Sequence, residues 1–142
     1  MINTSDLEKA KRLLRAEKSP RIVFAQNDIF NRKILEYGNF EVLLSVEKDH
    51  KSKLRQTDSG FNHVLAKIAS SKNIALGFDL EEIKSLDKVE KANRLAKILQ
   101  NIAICRKAKT SIAVKISDIY AAKDFLIGLG ASTLQVRDAI VF

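Results

Sequence analysis

Asp58-Ser59-Gly60-Phe61-Asn62-His63 gathers polar side chains around a glycine, just ahead of a helical pattern. Amides at such a helix start can cradle a phosphate, with Asn62 and His63 as further donors. Asp58 and Ser59 are equally the residue types that cap helices and bind nothing. Spacing alone favours the cap. No catalytic pattern surrounds the stretch. His63 has no Ser or Cys nucleophile at recognisable spacing, and neither a Gly-rich phosphate loop nor HExxH occurs. Cys105, the single cysteine, falls near the edge of a helical apolar stripe and reads as a packing residue.

Two groups of cations stand out. Lys91, Arg94, Lys97, Arg106, Lys107, Lys109 and Lys115 follow one another with no carboxylate between them. The first three recur every third residue, on the side of a helix away from its expected apolar stripe. Lys48, Lys51, Lys53 and Arg55 cluster in a loop, opposed by Glu47 and Asp49. Each cluster alone is as compatible with a solvated surface as with phosphate contacts. Two clusters in a basic domain tip the balance toward RNA backbone. The acidic run from Asp79 to Glu90 could bind magnesium. It reads better as helix starts, where the macrodipole favours carboxylates. There is no Trp, and the phenylalanines fall at core positions, so no base-stacking platform is expected.

These residues need a scaffold. A chain of 142 residues, 46% hydrophobic and 30% charged, is one soluble domain's worth, expected over 1–142. Its net charge of +8 and pI near 9.7 bias it toward polyanions. One Cys excludes an internal disulfide framework, and two His leave few ligands for a metal centre. The longest charge-free interval, 125–136, is too short to cross a membrane, and the start is no secretory signal. A cytoplasmic location is the default.

Ser5-Asp6-Leu7-Glu8 reads as a capping box for a helix ending before Pro20. It accounts for 1–19. From 20 to 142, apolar runs at 21–25, 42–46, 74–78 and 111–116 read as strands alternating with helices. The helices span Asp28 to Tyr37, Asp58 to Ala69, about Leu86 to Lys107, and Asp118 to about Gly128. Ala92, Leu95, Ala96, Leu99, Ile102 and Ala103 supply the apolar stripe of the long one. Residues 133–141 look like closing helical turns. Alternation implies an α/β fold of parallel βαβ units. Four strands cannot close a (β/α)₈ barrel. The expectation is a TIM-barrel-like, partial or open parallel barrel with flanking helices, whose edges the first helix or a partner must cover.

Asp58-Ser59-Gly60-Phe61-Asn62-His63-Val64-Leu65-Ala66, followed by Ile74-Ala75-Leu76-Gly77-Phe78, resembles the archaeal ribonuclease P protein component 3 family. Ile22-Val23-Phe24, the pair Asn31-Arg32, Val42-Leu43-Leu44-Ser45 and Arg106-Lys107 are similar to that family as well. Two departures stand out: the family's opening strand or strands have no counterpart, and its Ser-Gly-Ala segment reads Ile116-Ser117-Asp118.

The resemblance implies a TIM-barrel-like protein subunit of ribonuclease P, in shortened form. It would support removal of the 5′ leader from precursor tRNA by an RNA catalyst, without catalytic residues of its own. Magnesium would act through the RNA subunit, and the chain itself would bind no metal or cofactor. Partners would be ribonuclease P RNA, precursor tRNA and a ferredoxin-like protein subunit, in a homodimer or heterotetramer, with no membrane. The candidate RNA contacts are Asn31, Arg32, Lys51, Lys53, Arg55, Asn62 and His63, with Lys91, Arg94 and Lys97 as a second surface. Asp58, Ser59 and Gly60 are the candidate cap or phosphate nest. A small phosphate-handling (β/α) enzyme and a pure assembly module are the alternatives.

Overall fold

The structure, a computed structural model, describes residues 1–51 and 55–142. Its elements are α1 (Leu7–Ala16), β1 (Ile22–Phe24), α2 (Asp28–Tyr37), β2 (Val42–Leu44), α3 (His63–Ser71) and β3 (Ala75–Asp79). Then follow α4 (Leu80–Ser85), α5 (Lys88–Ala108), β4 (Ile112–Lys115), α6 (Ile119–Gly128), α7 (Thr133–Asp138) and β5 (Ile140–Val141). All five strands are parallel and lie in chain order, β1-β2-β3-β4-β5. Sequential order with right-handed crossovers places every connecting helix on the same side of the sheet. That is an open segment of a (β/α) barrel, as expected.

Alternate strand residues divide the burial. Val23, Leu43, Leu76, Phe78, Ile112 and Val114 pack under the helices, together with Leu14, Ile34, Leu65, Ile98, Ile102 and Leu126. On the other face Ile22, Val42, Leu44, Ala75 and Ala113 form a smaller cluster. Small residues are needed there. A Cβ at Gly77 would stand 2.6 Å from Val42 Cγ1 and 3.0 Å from Leu44 Cδ1.

The edges are covered sparingly. Ile2 bridges to β1, donating to Ile22 O at 2.8 Å and accepting from Phe24 N at 2.9 Å. It is this stretch ahead of α1, rather than α1 itself, that pairs with the β1 edge.

Several local expectations are corrected. Asp6, not Ser5, caps α1, accepting from Glu8 N and Lys9 N. The closing turns are a short helix plus a strand: β5 pairs with β4 through Ala113–Ile140 and Val114–Val141. The acidic run opens two helices rather than one, with Asp79 capping α4 and Asp87 capping α5. Carboxylates there do satisfy orphan amides, as the helix-start reading holds.

Candidate nucleic-acid interface

Helix α5 is turned relative to its expected stripe. Its buried residues are Arg94, Lys97, Ile98, Asn101, Ile102 and Cys105. Leu99 is half exposed, and Ala92 and Ala96 face outward. Arg94 and Lys97 are therefore not part of a solvated basic face, and Lys91, half-buried, is left without them. The buried side is half polar because it answers charges at the carboxyl ends of the strands. Arg94 Nη2 donates to Glu47 Oε1 at 3.0 Å, and Arg94 Nη1 reaches Glu82 Oε1 at 3.4 Å. Lys48 holds Glu82 at 3.0 Å. Lys97 Nζ donates to the His50 carbonyl. Beside this group Lys115 bridges to Asp79 at 3.0 Å.

Glu47 lies wholly out of solvent, and its Oε2 meets no hydrogen-bond partner among the described residues. Burial pushes its carboxyl up, and the neighbouring Arg94 guanidinium offsets only part of that. Burial likewise raises the Cys105 thiol to about 12, which confirms the residue as packing.

The loop after β2 is held by His50. Its Nδ1 meets Val46 O at 3.1 Å and its Nε2 meets Asp28 Oδ1 at 2.6 Å. Both partners are acceptors, so the ring ties the loop to β2's exit and to the start of α2 through whichever nitrogen carries a proton. Gly60, with φ +71°, packs on the ring: a Cβ there would lie 2.5 Å from His50 Nδ1 and 2.7 Å from Val46 O. The glycine is needed both for its left-handed backbone and for this approach.

The Asp58–His63 stretch is not itself the start of α3. Asn62 is the cap, accepting from Leu65 N at 2.9 Å, and the helix begins at His63. Asp58 and Ser59 lie too early to cap it. Asp58 instead accepts from Gly60 N at 3.0 Å, and buried Ser59 donates to Phe61 O at 3.3 Å. The Gly60 amide is thereby used inside the turn, which removes it from any phosphate nest.

Asn31 is also corrected. It is completely buried, accepting from Gln26 N at 2.7 Å and donating to Gln26 O at 3.1 Å. It braces the turn between β1 and α2 and is closed to a ligand. Arg32 is exposed, with Nε donating to Glu36 Oε1 at 3.1 Å. Lys51 and Arg55 are exposed; Lys53 lies outside the described residues.

Packing of α2 on α3 and α3 on α5 leaves a groove of about 700 Å³. Arg32 and Asp28 line one wall, the segment from Gln56 to Leu65 another, and Gln100 and Ile104 a third. Arg32, Asn62 and His63, distant in sequence or unremarkable alone, meet there. His63 is exposed and makes no hydrogen bond or ion pair with another described residue. The groove sets Arg32, Asn62 and His63 beside the apolar Val64, Leu65 and Ile104, with the carboxylates Asp28 and Asp58 also in its lining. Phosphate and ribose oxygens are the acceptors such donors suit. Among the described residues no helix is long and apolar enough to cross a membrane.

No protein-family model matches the chain. Curated proteins do. Ribonuclease P protein component 3 of Methanococcus maripaludis (strain C7) is 24% identical over 123 residues, covering 85% of this chain and 50% of the relative. The Methanococcus vannielii protein of the same name is 27% identical over 95 residues, 66% of this chain and 38% of its own. The chain thus spans about half the length of the curated relatives it matches. Among solved structures, a chain from a cryo-EM structure of archaeal ribonuclease P with mature tRNA superposes with a TM-score of 0.75 at 21% identity. The match covers 96% of this chain and 61% of that one. The sequence motifs and the curated relatives agree: the chain is similar to proteins named ribonuclease P protein component 3 over about half of their length, and the solved structure shares its fold.

Proposed function

We propose that this chain is a protein subunit of a ribonuclease P. In that reading it binds the RNA subunit or precursor tRNA and supports removal of the 5′ leader. The bond is cleaved by the RNA subunit with magnesium ions held by RNA, and the protein positions and stabilises. One observation carries the reading. The stretch with the strongest family likeness, Asp58 to Ala66, also walls the groove between α2, α3 and α5 and delivers Asn62 and His63 to it. Packing does not require an exposed, unpartnered His63 at that spot.

The groove's three donors act differently. Arg32 supplies an exposed guanidinium charge for a phosphate. His63 supplies a ring N–H. Asn62 spends its carbonyl on the helix cap and keeps its amide for a ligand. Lys51 and Arg55, exposed in the adjoining loop, add backbone attraction without reading sequence. The ferredoxin-like subunit expected of the family is the proposed protein partner.

Reconstitution tests this. Precursor tRNA is cleaved by the cognate RNA at low magnesium, with and without this protein and the ferredoxin-like subunit. Stimulation that falls at least several-fold in Arg32→Ala/His63→Ala supports the reading. No stimulation by the wild-type chain refutes it. Turnover of a phosphorylated small molecule without RNA would instead favour an enzyme.

A further inference from the structure

A further set of exposed cations lies at the opposite end of the sheet from the ion-pair network, and of these Arg106 Nη1 reaches the Gly130 carbonyl at 3.4 Å. At the carboxyl ends of the strands Arg94, Lys97, Lys48 and Lys115 are all engaged within the protein. The amino ends are different. Lys72 closes α3 and leads into β3; Lys109 closes α5 and leads into β4. Because β3 and β4 are neighbours, these two turns are adjacent. Ser70 Oγ ties them, donating to the Lys109 carbonyl at 3.2 Å. The Lys72 stem lies across Gly38 of the next turn. Arg106 and Lys107 occupy the last turn of α5. A groove of about 460 Å³ sets Arg106 and Lys109 into one wall, facing Ser132 and Gln135.

Carboxylates in these turns do not neutralise the set, because each already holds another cation. Glu17 pairs with the N-terminal ammonium at 2.7 Å, Glu41 with Arg21 at 3.0 Å, and Asp138 with Arg137 at 2.8 Å. Compensation of helix dipoles does not account for the distribution either. It would put a cation in the last turn of every helix, yet α2, α3 and α6 have none there. The excess gathers where α3 and α5 end side by side.

We infer that this rim, Lys72 with Arg106, Lys107 and Lys109, is a second RNA contact surface that tracks phosphate backbone at the amino ends of the strands. The inference rests on the RNA-binding role proposed above and adds a surface separate from the Asn62–His63 groove. Adjacent cations without a stacking aromatic suit a run of phosphates, and give affinity without sequence preference.

The test compares salt dependence. Binding of the full chain to the cognate ribonuclease P RNA is titrated across salt concentrations. A rim variant (Lys72→Gln, Arg106→Gln, Lys107→Gln, Lys109→Gln) is set against a control that loses equal charge elsewhere (Lys9→Gln, Lys84→Gln, Lys88→Gln, Lys123→Gln). Each lost phosphate contact lowers the slope of log K against log salt by about 0.7–0.9. The rim variant, losing four contacts, is expected to lose roughly 2.8–3.6 in slope, and the control well under 1. The pair Lys72→Gln/Lys107→Gln, which touches neither groove wall nor cap hydrogen bond, serves if the full variant melts early. Equal changes in rim variant and control would reduce the rim to net charge and overturn the inference. An unchanged RNA slope with loss of a protein subunit would assign the rim to an acidic protein and overturn it as well. Wild-type protein that binds no RNA would defeat the functional reading itself.

Discussion

Removing Arg94 tests whether the interior polar network is a structural necessity. Glu47 is fully buried and Arg94 is its cation; when Arg94 is gone Glu82 keeps Lys48, but Glu47 keeps no cation among the described residues. Stripping the partner from a buried charge costs about 3–5 kcal/mol. Against a total stability of about 5–15 kcal/mol that is a large fraction. It corresponds to a fall in Tm of roughly 10–15 °C for a domain of this size. The pH dependence carries the diagnosis. Burial already raises the Glu47 carboxyl, and loss of Arg94 raises it further. The folded state then holds a proton that the unfolded chain has released. Stability therefore falls as pH rises from the unfolded carboxyl range through the folded pKa, and this fall is steeper in Arg94→Met than in wild type. The assay is urea denaturation of both proteins at pH 5 and pH 8. The deficit of Arg94→Met should be markedly larger at pH 8, and Glu47→Leu/Arg94→Met should recover most of it. A deficit that is the same at both pH values, or below about 1 kcal/mol, would mean that Glu47 is solvated and the reasoning fails.

Three smaller predictions follow from local geometry. Asn62→Ala should cost about 1 kcal/mol by uncapping α3, while Asp58→Ala leaves that cap in place; thermal melts separate the two. Gly60→Ala forces an Ala into left-handed backbone against the His50 ring and should lower stability by at least about 1–2 kcal/mol, with an unchanged Tm showing that the loop re-forms. Cys105, buried and raised to about 12, should ignore a thiol reagent in native protein at pH 8 and react fully in denaturant. Rapid native labelling would contradict its burial.

The fold was legible where periodicity was unambiguous. Helix α2 runs over Asp28–Tyr37 and ends on Gly38 as the sequence implies. The apolar runs became adjacent parallel strands because runs without alternation fit burial on both faces. Failures came where polar residues do core work. Periodicity in α5 runs an apolar stripe through alanines and Leu99, and leaves the cations to water. Glu47 and Glu82, contributed by other elements, draw Arg94 inward, and nothing local to α5 announces them. Asn31 enters the candidate set through the family-like pair Asn31-Arg32, and nothing in that pair separates a buried brace from an exposed cation. Its burial follows from Gln26 needing both backbone groups satisfied. β5 escaped notice because two residues are too few for a pattern. At the candidate site, Asn62 and His63 were found through motif likeness, while Gln100 and Ile104 of α5 carried no signal.

The placement of charge has a practical corollary. Salt at about 1 M shortens the Debye length to about 3 Å and suppresses attraction between exposed cations and polyanions, but hardly reaches a pair shielded from solvent. Arg94 and Glu47 are so shielded, whereas Lys72, Lys107 and Lys109 are open to solvent. A concentrated salt wash should therefore strip copurifying nucleic acid from this protein and leave it folded. An absorbance ratio and a melt on the same eluate would register the two effects independently.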